Sequence, residues 1–265
     1  MKEGYINLVF IIDESGSMGG SESDVVGGFN KLVEEQKLVE DGQCTVSMFT
    51  FNGDVKERFI GKDVCEVKKL EVGRGFWFSN SISVSSCIID GVADIKVKEE
   101  SYGTDPLYQY IPGGMTAMND GIGTAIDRIG KWLANMPEEE RPSKNLVVIM
   151  TDGEENSSKE YTLAKVQEMI KHQTEVYDWS FVYMGMDITS KDAAESLGIN
   201  NRSYTSKSSD SLTKSWSNIT NSATCYRCCD SAIDASEVMN SYLNAELTAD
   251  TKLYETQTGI KIEDN

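Results

Sequence analysis

Histidine is almost missing from this 265-residue chain, and His172 is its only one. Ser-His-Asp and Cys-His hydrolases, His-rich zinc enzymes and histidine acid–base catalysts would all have to be built on that residue. It falls in a segment with amphipathic helical spacing, 166–173, and reads as an ordinary surface position of a helix. Proline is scarce as well, with four residues and no biased tract, which argues against long disordered regions. No stretch approaches the roughly 18 consecutive apolar residues of a membrane span. The apolar run near the start is short, has acidic residues on both sides and lacks the design of a secretory leader. Positive charge is the next shortage. Lys and Arg number 25 against 43 Asp and Glu, a net charge of −18. Such a chain repels phosphate backbones and anionic lipid, which disfavours nucleic-acid and membrane-surface partners, and it attracts cations.

What is present fits a soluble globular protein, with 39% hydrophobic and 26% charged residues. The length suits one decorated α/β domain, expected over 1–241, followed by a polar tail over 242–265. Six cysteines without a leader suggest free thiols in a reducing cytoplasm. Cys225, Cys228 and Cys229 form one CxxC without a second pair or a nearby His, a weak zinc signal beside plain helix packing.

Along the chain, 5–12 is a near-continuous apolar run, as expected of a buried parallel strand. Residues 24–39 have helical spacing, 44–51 read as a second strand, and Asn52-Gly53 turns the chain into an antiparallel edge strand over 55–60. Alternation over 81–97 around Asp90-Gly91 predicts an inserted β-hairpin, about 76–100 with its flanks, beside an aromatic cluster of Phe76, Trp77 and Phe78. Helices are expected over 115–133 and 158–173, strands over 145–150 and 179–184. A short helix over 191–197, a short strand near 202–205 and a long helix from 209 to about 240 follow. There is no internal repeat. The alternation of strand and helix predicts a doubly wound, mostly parallel α/β sheet with an antiparallel edge strand.

Two strands end in aspartate. The first runs into Asp13-Glu14-Ser15-Gly16-Ser17, the middle one into Thr151-Asp152-Gly153-Glu154-Glu155-Asn156, and Gly113-Gly114-Met115-Thr116 lies between them. In a doubly wound sheet, ligands bind at the carboxyl ends of the strands where strand order reverses. If the two strands are neighbours, Asp13 and Asp152 face one crevice and repel, which a cation between them resolves. Ser15 and Ser17 alternate so that both hydroxyls can point with Asp13, and two glycines let Thr116 approach. Oxygen ligands without His or Cys suit Mg²⁺, Mn²⁺ or Ca²⁺. Glu154 and Glu155 read equally as acceptors for metal-bound water or as solvated loop charges. Asp120 reads as favouring a helix N-terminus.

Asp13-x-Ser15-x-Ser17, a separated Thr116 and Asp152-Gly153 resemble the metal-ion-dependent adhesion site of von Willebrand factor A domains. The phrases Gly-Gly-Met-Thr-Ala-Met-Asn-Asp-Gly-Ile and Thr-Asp-Gly-Glu-Glu-Asn-Ser-Ser are similar to those of stand-alone intracellular bacterial and phage versions, over about residues 5–228. The resemblance implies a Rossmann-like fold and a non-enzymatic module that binds protein through a metal. Ser15 and Ser17 would ligate through hydroxyls, Thr116 directly or through water, and Asp13 and Asp152 mainly through bound waters. An Asp or Glu of a protein partner would complete the site. The hairpin exceeds what a compact version of the domain needs, as a specificity or oligomerisation element or as an edge decoration. Two other functions stay open. One is a structural or assembly protein, forming homo-oligomers or serving as an AAA+ adaptor, in which the metal only stabilises. The other is a metal-assisted phosphohydrolase, which would need an Asp where Ser15 stands.

Overall fold

The computed structural model describes residues 1–40, 42–73, 83–89, 92–98, 105–186, 191–204 and 208–228. The main sheet takes six strands from across this length. They are β1 (Lys2–Asp13), β2 (Gln43–Phe51), β3 (Val55–Asp63), and further on β8 (Pro142–Thr151), β9 (Ser180–Gly185) and β10 (Asn201–Tyr204). Two short strands, β4 (Glu71–Val72) and β7 (Gln109–Tyr110), pair in parallel. Between them β5 (Ser83–Ile89) and β6 (Val92–Lys98) pair antiparallel, Val84 opposite Val97 and Ile89 opposite Val92, as the alternation over 81–97 predicts; Asp90 and Gly91 lie outside the described residues. Phe76, Trp77 and Phe78 lie outside the described residues, as does everything beyond residue 228, including the expected tail.

Strand order is β10-β9-β8-β1-β2-β3. All pairings are parallel except that of β2 with β3, which is antiparallel. The antiparallel edge follows from Asn52-Gly53, a connection too short for a crossover. The chain leaves β1 towards β2 on one side and fills the other side with β8, β9 and β10. Strand order therefore reverses between β1 and β8.

Both sheet faces are covered, which is why the central strands are apolar at successive positions. On one face Ile6, Leu8, Phe10 and Ile12 pack with Val46, Met48 and Val148 under α1 (Glu22–Lys37) and α5 (Ser209–Cys228). Trp216 of α5 lies against Gly28 of α1, where an added Cβ would meet the indole ring at 2.1 Å, so the two helices interlock through a missing side chain. On the other face Val9, Ile11, Phe49, Phe51, Val147 and Ile149 meet α2 (Met118–Ala134), α3 (Leu163–Tyr177) and the short α4 (Lys191–Ser196). Tens of apolar side chains buried at about 1.5–3 kcal/mol each supply the main force opposing chain entropy.

Two helix starts differ from expectation. The sequence pattern begins the second helix at Met115, whereas α2 starts at Met118 and Met115 is exposed in the preceding loop. The pattern begins the next helix at Ser158, whereas α3 starts at Leu163, with Thr162 Oγ1 accepting from Lys165 N at 3.3 Å. Residues 157–161 are held instead by the side chains of Glu155, just before them, and of Asp120 on α2, described below. His172 is exposed on α3, against the edge of Tyr177. Cys44 is buried and Cys225 half-buried on α5, and both are free thiols. The side chain of Cys228 and the whole of Cys229 lie outside the description. Among the described residues no helix is long and apolar enough to cross a membrane.

Candidate metal centre

Register brings the two remote aspartates together. β1 and β8 pair with Ile12 opposite Met150, so Asp13 lies beside Thr151 and Asp152 follows one residue on, at the reversal of strand order. Asp13 is fully buried, its Oδ2 accepting from Thr151 Oγ1 at 2.6 Å and its Oδ1 from Ser15 N at 2.6 Å. Burial raises its carboxyl to about 6; those two hydrogen bonds oppose the rise and the charge of Asp152 adds to it.

From there a line of oxygens crosses to the middle strand. Ser15 Oγ and Ser17 Oγ are 2.9 Å apart, and Ser17 Oγ donates to Asp152 Oδ1 at 2.7 Å. Thr116 reaches the same place. A Cβ added to Gly153 would meet Thr116 Oγ1 at 3.2 Å and Ser17 Oγ at 3.4 Å, so both hydroxyls bear on that glycine. Ser15, Thr116 and Asp152 are buried. All five residues singled out in the sequence thus converge from three loops.

The loops are stitched to one another by main-chain bonds. Gly16 N donates to Gly114 O at 3.1 Å, Gly113 N to Glu14 O at 2.7 Å and Ala117 N to Asn52 O at 2.7 Å. Thr116 exchanges bonds with Asn156, its N donating to Asn156 Oδ1 at 2.8 Å and its O accepting from Asn156 N at 3.0 Å. Tyr110 Oη donates to Asp13 O at 2.6 Å. Burial, with the Asp13 and Glu14 charges, pushes that phenol far above its ordinary range, so it remains a donor.

Sequence reasoning missed several of these supports. Thr151 and Tyr110 look like packing residues, and only register places them at Asp13. Glu14 is buried against two cations, Arg58 at 2.6 Å and Lys56 at 2.9 Å, and Arg58 also donates to Thr50 Oγ1 and Pro106 O. The alternation of Lys56 and Arg58 on an edge strand was its only signal. Glu155 and Asp120 serve the loops. Glu155 accepts from Asn119 N, Ser157 N, Ser158 N and Ser158 Oγ; Asp120 accepts from the backbone N–H groups of Lys159, Glu160 and Tyr161. These bonds, rather than a helical turn, hold 157–161.

The donor set tests what the centre can hold. Among the described residues no three His, Cys, Asp or Glu side chains gather for a metal. The five convergent groups are three hydroxyls and two carboxylates, all hard oxygens, and thiolate or imidazole ligation for zinc is absent from this set. A small hard cation fits; a soft one does not.

No family model matches the sequence, and no curated protein does. Solved structures match in fold. The von Willebrand factor domain of the type V pilus tip protein Mfa5 from Porphyromonas gingivalis has a TM-score of 0.50 at 11% identity, covering 84% of this chain and 96% of that one. The von Willebrand factor type A protein from Catenulispora acidiphila gives 0.47 at 13%, covering 83% and 43%. The manganese-loaded TRAP protein from Plasmodium vivax gives 0.43 at 16%, covering 82% and 74%. The chain spans less than two thirds of the length of several structures it matches. The chain has a von Willebrand factor A-like α/β fold.

Proposed function

We infer that the chain is a metal-dependent protein-binding module rather than an enzyme. Asp13, Ser15, Ser17, Thr116 and Asp152 would hold Mg²⁺ or Mn²⁺, with Ca²⁺ a weaker fit to so tight a cluster, and a partner's Asp or Glu would complete the coordination. The bound ion would supply positive charge that hydroxyl ligands leave incompletely neutralised, and so attract a carboxylate to an otherwise acidic protein. The observation that carries this reading is the continuous oxygen line from Ser15 through Ser17 to Asp152, with Thr116 Oγ1 beside Gly153. The motif resemblance to intracellular bacterial and phage proteins favours a cytoplasmic setting.

A phosphohydrolase is disfavoured by Ser15, which stands where a second catalytic Asp would be needed and whose N–H is bound to Asp13. The assembly reading keeps one support, the depth of Asp13, since a cation there would also relieve a buried charge.

Affinity capture from native lysate separates the readings. Partners retained in magnesium are expected to be lost in chelator and with Thr116→Ala, while the variant keeps its melting temperature within a few degrees. Partners retained equally in chelator, beside a lowered melting temperature, would establish the stabilising role instead.

A further inference from the structure

Beside the metal centre lies a cleft of about 260 Å³, running from the Asp152-Gly153 turn to α4 between the starts of α2 and α3. Three of its walls are apolar: Met118, Leu163 and Ala193. Its acidic lining includes Glu154 and Asp192, both exposed, and no ion pair among the described residues involves either. Asn119 also lines it. Asn119 is 6% exposed, and its buried Oδ1 has no hydrogen-bond donor. A buried amide oxygen left so costs about 1–3 kcal/mol, which a ligand donor in the cleft recovers when the amide turns towards it.

Apolar walls, two uncompensated carboxylates and a buried acceptor match one kind of side chain: an aliphatic stem ending in a cation rich in N–H donors. We propose that this cleft is a subsite for a lysine or arginine of the protein partner, adjacent to the carboxylate that goes to the metal. The pairing with a carboxylate rests on the function proposed above; the cleft itself uses no metal. The arrangement also addresses a difficulty of charge. A purely acidic partner approaches a chain of net charge −18 against repulsion, and a neighbouring basic residue offsets it and favours encounter.

The test is an NMR titration of the full chain with N-acetyl-arginine methylamide, N-acetyl-lysine methylamide and the uncharged N-acetyl-norleucine methylamide, in chelator and in magnesium. The cationic probes are expected to shift the Asn119 side-chain amide and the Leu163 methyls saturably in both conditions. Norleucine should bind about tenfold more weakly, and the double variant Glu154→Gln, Asp192→Asn should lose about tenfold for the cations. No saturable shift with either cation, equal affinity for norleucine, or an unaffected double variant overturns the proposal. The probes carry no carboxylate and are read without metal. Failure of ion binding at Asp13 therefore leaves this outcome standing, and failure here leaves the metal centre standing.

Discussion

As a ligand of the proposed cation Asp13 would have to be charged, while burial and, less strongly, Asp152 disfavour that charge and hold the carboxyl near 6 against an ordinary 3.8. The sign follows from linkage. A carboxyl raised on folding stabilises the metal-free fold below its unfolded value, and that contribution fades as pH rises through about 6. Its full size is on the order of 3 kcal/mol. In chelator, the melting temperature of the wild type should therefore fall between pH 5 and 7.5, and that of Asp13→Asn should fall much less; equal slopes would contradict the account. The convergence of the five candidate residues was legible in the sequence because Asp13 and Asp152 stand at the ends of strands, Ser15 and Ser17 alternate just past the first, and Thr116 follows paired glycines closely. Thr151 and Tyr110 were not, because one hydroxyl on an apolar strand or a lone tyrosine signals nothing until register sets it beside Asp13.

At the scale of elements, the edge strand does more than close the sheet. Arg58 of β3 spans from Glu14, next to the candidate metal centre, to Pro106 O in the segment that leads to the Thr116 loop. Breaking a buried pair outright costs about 3–5 kcal/mol; without Arg58 the buried Glu14 keeps the more exposed Lys56 at 2.9 Å, so a smaller loss is expected. Arg58→Met should lower the melting temperature and also weaken ion binding, although no candidate ligand is touched. Calorimetry and an ion titration on the same variant check both; weakened stability with unchanged ion affinity would show that Glu14 does not position the Ser15–Ser17 turn. Here the sequence was only partly legible. The edge strand and its direction followed from Asn52-Gly53, but α2 and α3 begin later than periodicity indicates. Glu155 gathers the N–H groups of Ser157 and Ser158 locally and Asp120 those of 159–161 from far along the chain, and side-chain bonds of either kind leave no periodic trace.

For the whole molecule, the order β10-β9-β8-β1-β2-β3 gives the acidic crevice its place, because order reverses where β1 and β8 deliver Asp13 and Asp152. The doubly wound sheet could be read from apolar strands alternating with helices, but the adjacency of β1 and β8 was only a condition there, which the pairing meets. The cleft under α4 could not be read so, since Met118, Leu163 and Ala193 come from three helices whose mutual placement only packing decides. Under the proposed function, a bound divalent ion would let one face of a chain of net charge −18 receive an acidic ligand. Isothermal titration of Mg²⁺ and Mn²⁺ into the wild type and the double variant Ser15→Ala, Ser17→Ala tests this most directly. The account predicts one ion per chain for the wild type and at least about a tenfold loss of affinity for the folded double variant. Ion binding of equal strength in both proteins, or no binding by the wild type, would contradict it.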